Sequence, residues 1–432
     1  MTKRKSTGRP TRPAAAPRIG LFGHLGAGNI GNDAAMESML SYLRTDHPDA
    51  ILDAMCAGPE RLRCEYGIEA IPLQWYQKYE QQASEAMATA LKALGKGIDA
   101  FRTASWVGRH DVVIVPGGGV LETSMPMRPW GMPYKMFLLC AFGRLFGTKV
   151  ALVNVGANVI SQRLTGWLST SAARLAFYRS YRDTMSRDAM RQRGLDTTKD
   201  HVYPDLVFGI PAPPYKPGDT HTVGLGVMDY YGTNDERGHA DELHASYVEK
   251  MKVLVRWLVD GGRRIRLLVG DTNGSDDSVV QEILADLRAR RPDLDPTRVV
   301  AEPVSSFAEL MRAMAPADTV IATRYHNVVG ALMLCKPTIS IGYSAKNTAL
   351  MADMGLSAFC QAASTLDVGR LIEQFTELES QSAQLRQMIA ERNAMNARLL
   401  DSEFTALSAA LFPAAQSART ADEREPARSG SS

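Results

Sequence analysis

Residues 318 to 356 read DTVIATRYHNVVGALMLCKPTISIGYSAKNTALMADMGL, and that run admits few folds. An apolar strand, Thr319 to Ala322, delivers Arg324 and His326 to the start of an apolar helix, Val328 to Leu334. A second strand then delivers Lys346 to the start of another helix. Short strands alternating with helices predict a parallel sheet covered by helices on both faces. Ligands of such sheets bind where strands hand over to helices, and helix N-termini there favour anions.

The same alternation recurs along the chain. Strands are expected at Arg18–Gly23, Ile51–Cys56, Val112–Val115, Val150–Val155 and Tyr178–Tyr181, and later at Val223–Met228, Ile265–Val269 and Val299–Ala301. Helices are expected at Asp33–Leu43, over residues 74 to 108, and at Ser186–Gln192, with Ser186 as cap and Asp188 in the first turn. Leu243–Val259, Asp276–Arg288 and Ser306–Met314 follow. The segment PAPPYKPGD, residues 211 to 219, breaks any regular element. The expected architecture is α/β: two Rossmann-like doubly wound domains in tandem, residues 18–212 and 213–375, with a cleft between them. A C-terminal helical segment (376–412) follows, its Leu378, Leu385, Met388, Met395 and Leu399 spaced for docking or a short oligomer contact.

Composition narrows the class. A net charge of +2 argues against a nucleic-acid surface. Residues 1–17 form a basic arm carrying Lys3, Arg4, Lys5, Arg9 and Arg12, and residues 413–432 form a tail; both are expected to be disordered. The arm reads as a solvated tail or as a weak attraction to anionic lipid. The longest apolar run, Met136 to Phe146, is interrupted by Gly143 and Arg144 and is too short to span a bilayer; it reads as a buried helix or one lying on a membrane surface. Five scattered cysteines form no CxxC pair, which fits a reduced cytoplasmic compartment, including the inner face of the membrane. No metal-ligand spacing occurs among cysteines and histidines, so no metal is expected.

Four motifs carry chemistry. The loop GHLGAGNIGND after the first strand places Gly28, Asn29, Gly31 and Asp33 at a helix start, where backbone N–H groups can face an anion. It is neither a Walker A loop nor a good dinucleotide fingerprint, and a plain capped turn is the competing reading. The run VPGGGVLE places Gly117, Gly118 and Gly119 at a strand end and Glu122 just beyond; Glu122 is either a base or sugar ligand, or a solvated helix-start acid. In SYRDTMS, Arg182 ends a strand, where it can grip a carboxylate bidentately or pair with Asp183 or Asp188. Asp205, in YPD, reads as a site acid or as a structural tie between loops. In the block first described, Arg324 and His326 fall on one side of extended chain. An imidazole with an ordinary pKa of about 6.5 suits proton transfer near neutrality. Tyr343 and Lys346 extend the positive rim.

Taken together, GHLGAGNIGNDAA, VIVPGGGVLE, YRDTMSRDAM, VYPDLVF and ATRYHNVVGALMLCKPTISIGYSAKN resemble the polysaccharide pyruvyl transferase family over roughly residues 18 to 375. The resemblance implies a fold similar to two-domain GT-B glycosyltransferases. It also implies transfer of an enolpyruvate-derived unit from phosphoenolpyruvate, a co-substrate, onto two hydroxyls of a sugar as a pyruvate ketal, with no cofactor and no recognised metal. Arg324 and His326 match the family's RxH positions, and Arg182 its arginine before an aspartate. In the first loop Asn32 stands where the family often has aspartate, and Asp33 comes one later. On this reading Arg182 and Arg324, assisted by Lys346, hold the donor's anionic groups and His326 is the general acid. The saccharide acceptor, lipid-linked, nucleotide-linked or polymeric, is left open. The competing functions are a GT-B glycosyltransferase using a nucleotide sugar, and a non-catalytic sugar-binding member of a polysaccharide assembly complex.

Overall fold

The computed structural model describes residues 16–75, 85–122, 129–213, 219–232, 238–270 and 276–413. The basic arm up to residue 15, the tail from 414, and residues 214–218 of the proline-rich boundary lie outside the described residues.

The first half is a parallel sheet of β1 (Arg18–Gly23), β2 (Ile51–Cys56), β3 (Glu69–Pro72), β4 (Val112–Pro116), β5 (Lys149–Val155), β6 (Tyr178–Tyr181) and β7 (His201–Val202), in the order β3-β2-β1-β4-β5-β6-β7. Its helices are α1 (Ile30–Asp46), α2 (Pro59–Tyr66), α3 (Glu85–Val107), α4 (Met132–Phe146), α5 (Arg163–Leu175) and α6 (Thr184–Gln192). The second half pairs β8 (Asp219–Gly226), β9 (Arg264–Leu268), β10 (Val299–Ala301), β11 (Ala317–Ala322), β12 (Thr338–Gly342) and β13 (Cys360–Ala362) in the order β10-β9-β8-β11-β12-β13. Between them run α7 (Ala240–Asp260), α8 (Asp277–Arg290), α9 (Phe307–Met314), α10 (Tyr325–Met333) and α11 (Ala345–Asp353). Strands such as VVIVP and TISIG are buried along their whole length, as expected of strands covered on both faces.

In each sheet the strand order reverses beside the first strand, between β1 and β4 and between β8 and β11. A crevice opens at such a switch point, at the carboxyl ends of the strands. The glycine loops follow β1 and β4, and Arg324 and His326 follow β11, so the topology assigns all of them to these crevices.

Several local expectations change. The helix expected from Ser186 starts at Thr184, because the Asp183 carboxylate caps it, accepting from the Ser186 N–H at 2.6 Å. The Ser186 hydroxyl instead accepts from the Ala157 N–H at 2.9 Å. The helix α4 buries Met136, Leu139 and Cys140 but leaves Leu145 and Phe146 71% and 48% exposed, so the apolar run is only half covered. Among the described residues no helix is long and apolar enough to cross a membrane.

The chain ends in α12 (Val368–Ser380) and α13 (Ser382–Leu411). Leu378 and Leu385 are buried, whereas Met395 and Leu399 are exposed. The long helix ties the halves together. Arg386 pairs with Asp318 of the second half at 2.5 Å, and Phe404 stacks on Tyr42 of the first at 4.5 Å between centroids. Near its end, the carbonyls of Ala410 and Leu411 accept from Lys149.

Candidate active site

Arg182 leaves the end of β6 and is buried. Its guanidinium donates to the Glu122 carboxylate and lies 3.6 Å from Asp205 and 3.7 Å from Asp183. Burial alone would raise the Glu122 carboxyl, but the charges of Arg182 and Lys346 outweigh it and hold that group below the usual carboxylate range. Gly156 makes the pair possible: a Cβ there would overlap both Glu122 and the guanidinium. Asp205 also caps the short turn Leu206–Gly209 through the Val207 N–H, so it is a tie as well as a partner of Arg182.

The second half contributes the opposite wall. Lys346 Nζ lies 4.0 Å from Glu122, 5.3 Å from the Tyr325 ring centre and 5.7 Å from that of Tyr343. The Arg182 guanidinium sits 5.8 Å from the same Tyr325 ring, which is thus flanked by a cation from each half. Between them, Glu122 is shared: a carboxylate of the first half bound to one cation of each half.

His326 packs on the start of α1. A Cβ on Gly31 would occupy the place of its imidazole, so that glycine is a seat for the histidine rather than a surface for a ligand. Burial, then Lys346, Arg182 and Arg324, lowers the imidazole to about 3. The expectation of a group titrating near neutrality therefore gives way: in this site His326 is neutral.

Arg324 is positioned differently from expectation. It donates to both oxygens of Asp276, at 3.0 and 2.6 Å. Asp276 is fully buried and also accepts from the N–H groups of Asp229 and Gly270. Arg324 is anchored by its own half, and its charge still reaches His326.

The first loop is built by its own side chains. Asn29 caps α1 by accepting from the Asn32 N–H at 3.1 Å. Asp33, expected to face a ligand, is buried; one oxygen accepts from the Gly26 N–H at 2.6 Å and the other from Arg61 at 2.9 Å. Its carboxylate fixes the loop that contains Gly28, whose φ is 83°. Gly117 and Gly118 hold φ of 58° and 73° and turn the chain after β4 toward Glu122. A cavity of about 80 Å³ lies between the two loops, lined by His24, Asn32, Gly117, Gly118, Gly119 and Met132 among others.

The structure thus brings Glu122, Arg182, Asp205, Tyr343, Lys346 and His326 together. It gives Asp33 and Arg324 intramolecular partners. Sequence reasoning missed Gly156, Tyr325 and Asp276; the first two flank or interrupt motifs already singled out, and Asp276 was read only as a helix start.

Among solved structures, the chain is similar to a UDP-N-acetylglucosamine 2-epimerase from Listeria monocytogenes described as putative (TM-score 0.58, 10% identity, covering 91% of this chain and 96% of that one). It is similar also to an α,α-trehalose-phosphate synthase (UDP-forming) from Burkholderia vietnamiensis (TM-score 0.56, 11% identity, 95% and 100% covered). A third is the UDP-GlcNAc 2-epimerase of Methanocaldococcus jannaschii (TM-score 0.54, 10% identity, 83% and 92% covered). At these identities the likeness is one of fold, and the fold is of the GT-B type. Comparison with curated proteins gives no match. The family model described as polysaccharide pyruvyl transferase matches residues 29–345, a span that contains Glu122, Arg182, Asp205, Arg324, His326 and Tyr343 and ends one residue before Lys346, and the chain belongs to that family of transferases.

Proposed function

We propose that the protein transfers a pyruvyl unit from phosphoenolpyruvate to two hydroxyls of a saccharide, closing a pyruvate ketal. The observation that carries this is the Glu122 carboxylate held between Arg182 and Lys346. A carboxylate bound by one cation from each half marks a place where an anionic group of a small donor would fit.

A proton adds to C3 of the donor, leaving an oxocarbenium-like C2. One sugar hydroxyl bonds to C2 and gives up its proton; the C2–O bond to phosphate then breaks. The second hydroxyl replaces it, loses its proton, and completes the ketal. One proton is taken up at C3 and two hydroxyl protons are released, one of which leaves on the phosphate. In this scheme Arg182 and Lys346 exchange Glu122 for a donor anion, and Arg324, fixed on Asp276, adds charge beside His326. His326 is held neutral by its burial first, and then by the charges of Lys346, Arg182 and Arg324. The negative charge of the donor offsets those cations and raises the imidazole, so donor binding itself arms the general acid.

The test is a donor screen. With phosphoenolpyruvate and a saccharide acceptor, inorganic phosphate should be released and the acceptor should gain the mass of a ketal. Release of a nucleotide from UDP- or CMP-sugars instead would replace this reading by glycosyl transfer. Saccharide binding without turnover on any donor would make the chain a binding member of an assembly.

A further inference from the structure

Lys135, on α4, is 6% exposed, and among the described residues its ammonium has neither a hydrogen-bond nor an ion-pair partner. Met132, one turn earlier on the same face, lines the cavity between the first loop and the glycine turn. His24 lines that cavity too, is likewise without a partner among the described residues, and feels the charge of Lys135. A buried ammonium with no partner is costly, and the cost is relieved when a ligand supplies the counter-charge. The other charges acting on Lys135 are Lys96 and Asp99 of α3; burial, then Lys96, lowers it to about 8. Lys135 stands one turn behind Met132 of that lining; of the other lining side chains Asn32 is polar, and Phe22, Leu25, Val115 and Val120 are apolar and would strengthen any ion pair formed there. The cavity holds several waters' worth of space. It adjoins Gly119, against which Glu122 packs, so an occupant would lie beside the donor crevice.

We infer that the cavity between the two glycine loops, with Lys135 and His24, is an acceptor subsite that recognises an anionic group on the saccharide. The group is a carboxylate of an acidic sugar or a phosphate of the carrier to which the sugar is attached. Calling the occupant an acceptor rests on the pyruvyl-transfer reading; the anion site itself does not.

The full chain is titrated by calorimetry with glucuronate, glucose and uridine diphosphate, with and without saturating phosphoenolpyruvate to occupy Arg182 and Lys346. Glucuronate or uridine diphosphate should bind at least about tenfold more tightly than glucose, as one charged hydrogen bond implies. Lys135→Met should remove that preference while leaving phosphoenolpyruvate binding unchanged, and its thermal midpoint should stay level or rise, because an unpaired buried charge is replaced by an apolar chain of similar length. His24→Gln should weaken the same binding less. Preference for glucuronate assigns the site to an acidic sugar, and preference for uridine diphosphate to a carrier phosphate. Equal binding of charged and neutral ligands, no binding at all, or an unaltered preference in Lys135→Met would overturn the subsite. Failure of phosphoenolpyruvate to bind or release phosphate would instead count against the pyruvyl reading alone.

Discussion

Arg182 and Arg324 occupy equivalent stations, each at the carboxyl end of a strand in its own sheet, yet the two halves hold them differently. Arg182 is surrounded by Glu122, Asp183 and Asp205, which reach it from separate segments. Arg324 has Asp276, a fully buried carboxylate itself pinned by two backbone N–H groups. The first arrangement can trade one carboxylate for a ligand and keep the others; the second cannot trade without stranding a buried charge. The first half is therefore the exchangeable wall of the site and the second the fixed one. Lys346 joins them by facing the same Glu122.

The harshest way to break that comparison is to delete each arginine. Arg182→Ala leaves Asp205 buried without its cation and Glu122 with Lys346 alone, so it should cost about 3–5 kcal/mol of stability and abolish turnover. The measurement is denaturant unfolding beside phosphate release. Arg324→Ala strands Asp276, fully buried, by the same logic, but its own side chain is 21% exposed, so water moderates the loss. If Arg324→Ala proved the more damaging of the two to turnover while Arg182→Ala kept activity, the assignment of exchangeable and fixed walls would be reversed.

The exchangeable wall has its own brace. Glu403 of α13 is buried and accepts from the Ser180 hydroxyl at 2.5 Å and from Asn154 at 3.2 Å. Asn154 donates in turn to the Pro204 carbonyl at 2.7 Å and accepts from the Leu206 N–H at 3.2 Å, so the brace grips both neighbours of Asp205. Burial raises the Glu403 carboxyl to about 7, despite the bonds from Ser180 and Asn154. The raised value means the folded state favours the protonated form. Stability from this group is complete below its ordinary value of about 4.5 and is lost as pH rises through 7, about 3 kcal/mol over the window. Glu403→Gln should flatten unfolding stability across that window. A slope unchanged in the variant would locate the titration elsewhere.

How much of this was legible depended on range. β-Branched runs such as VVIVP and TISIG announced their strands, and the charges and glycines at their ends announced the site. The edge strands EAIP and CQA have too few such residues to signal, and α5, RLTGWLSTSAARL, is rich in Ser, Thr and Gly, which weaken the helical signal. Neither Asp276 nor Glu403 carries a local mark, since each acts on residues far off in sequence: Asp276 lies 48 positions from Arg324, and Glu403 lies 223 from Ser180. The neutrality of His326 was illegible for the same reason. Its ordinary value is set by the ring, but its value here is set by burial and by three cations from two sheets.

The seat of that histidine offers the next test. Gly31→Ala places a methyl where the imidazole lies, so the ring must move while the first loop keeps its Asn29 cap. A displacement on the order of 1 Å at a catalytic group costs about 100-fold, or about 2.7 kcal/mol of barrier. The expected signature is a fall in kcat with donor affinity nearly kept. Unchanged kcat would remove His326 from the chemistry, whatever its position.

The smallest effect is the most discriminating, because its sign differs between two roles for Glu122. If the carboxylate only holds the place of a donor anion between Arg182 and Lys346, Glu122→Gln removes a competitor for both cations. Donor binding should then tighten by about tenfold, or about 1.4 kcal/mol, with kcat little altered. If Glu122 instead takes a hydroxyl proton, the amide cannot replace it, and kcat should fall with donor affinity unchanged or improved. Because Arg182 and Lys346 hold the carboxyl below the usual range, the base would be a weak one at neutral pH until the donor draws those cations away. The two outcomes separate in a single pair of measurements, donor affinity by calorimetry and kcat by phosphate release. Weaker donor binding in Glu122→Gln would contradict both, and would mean that the wall does not exchange.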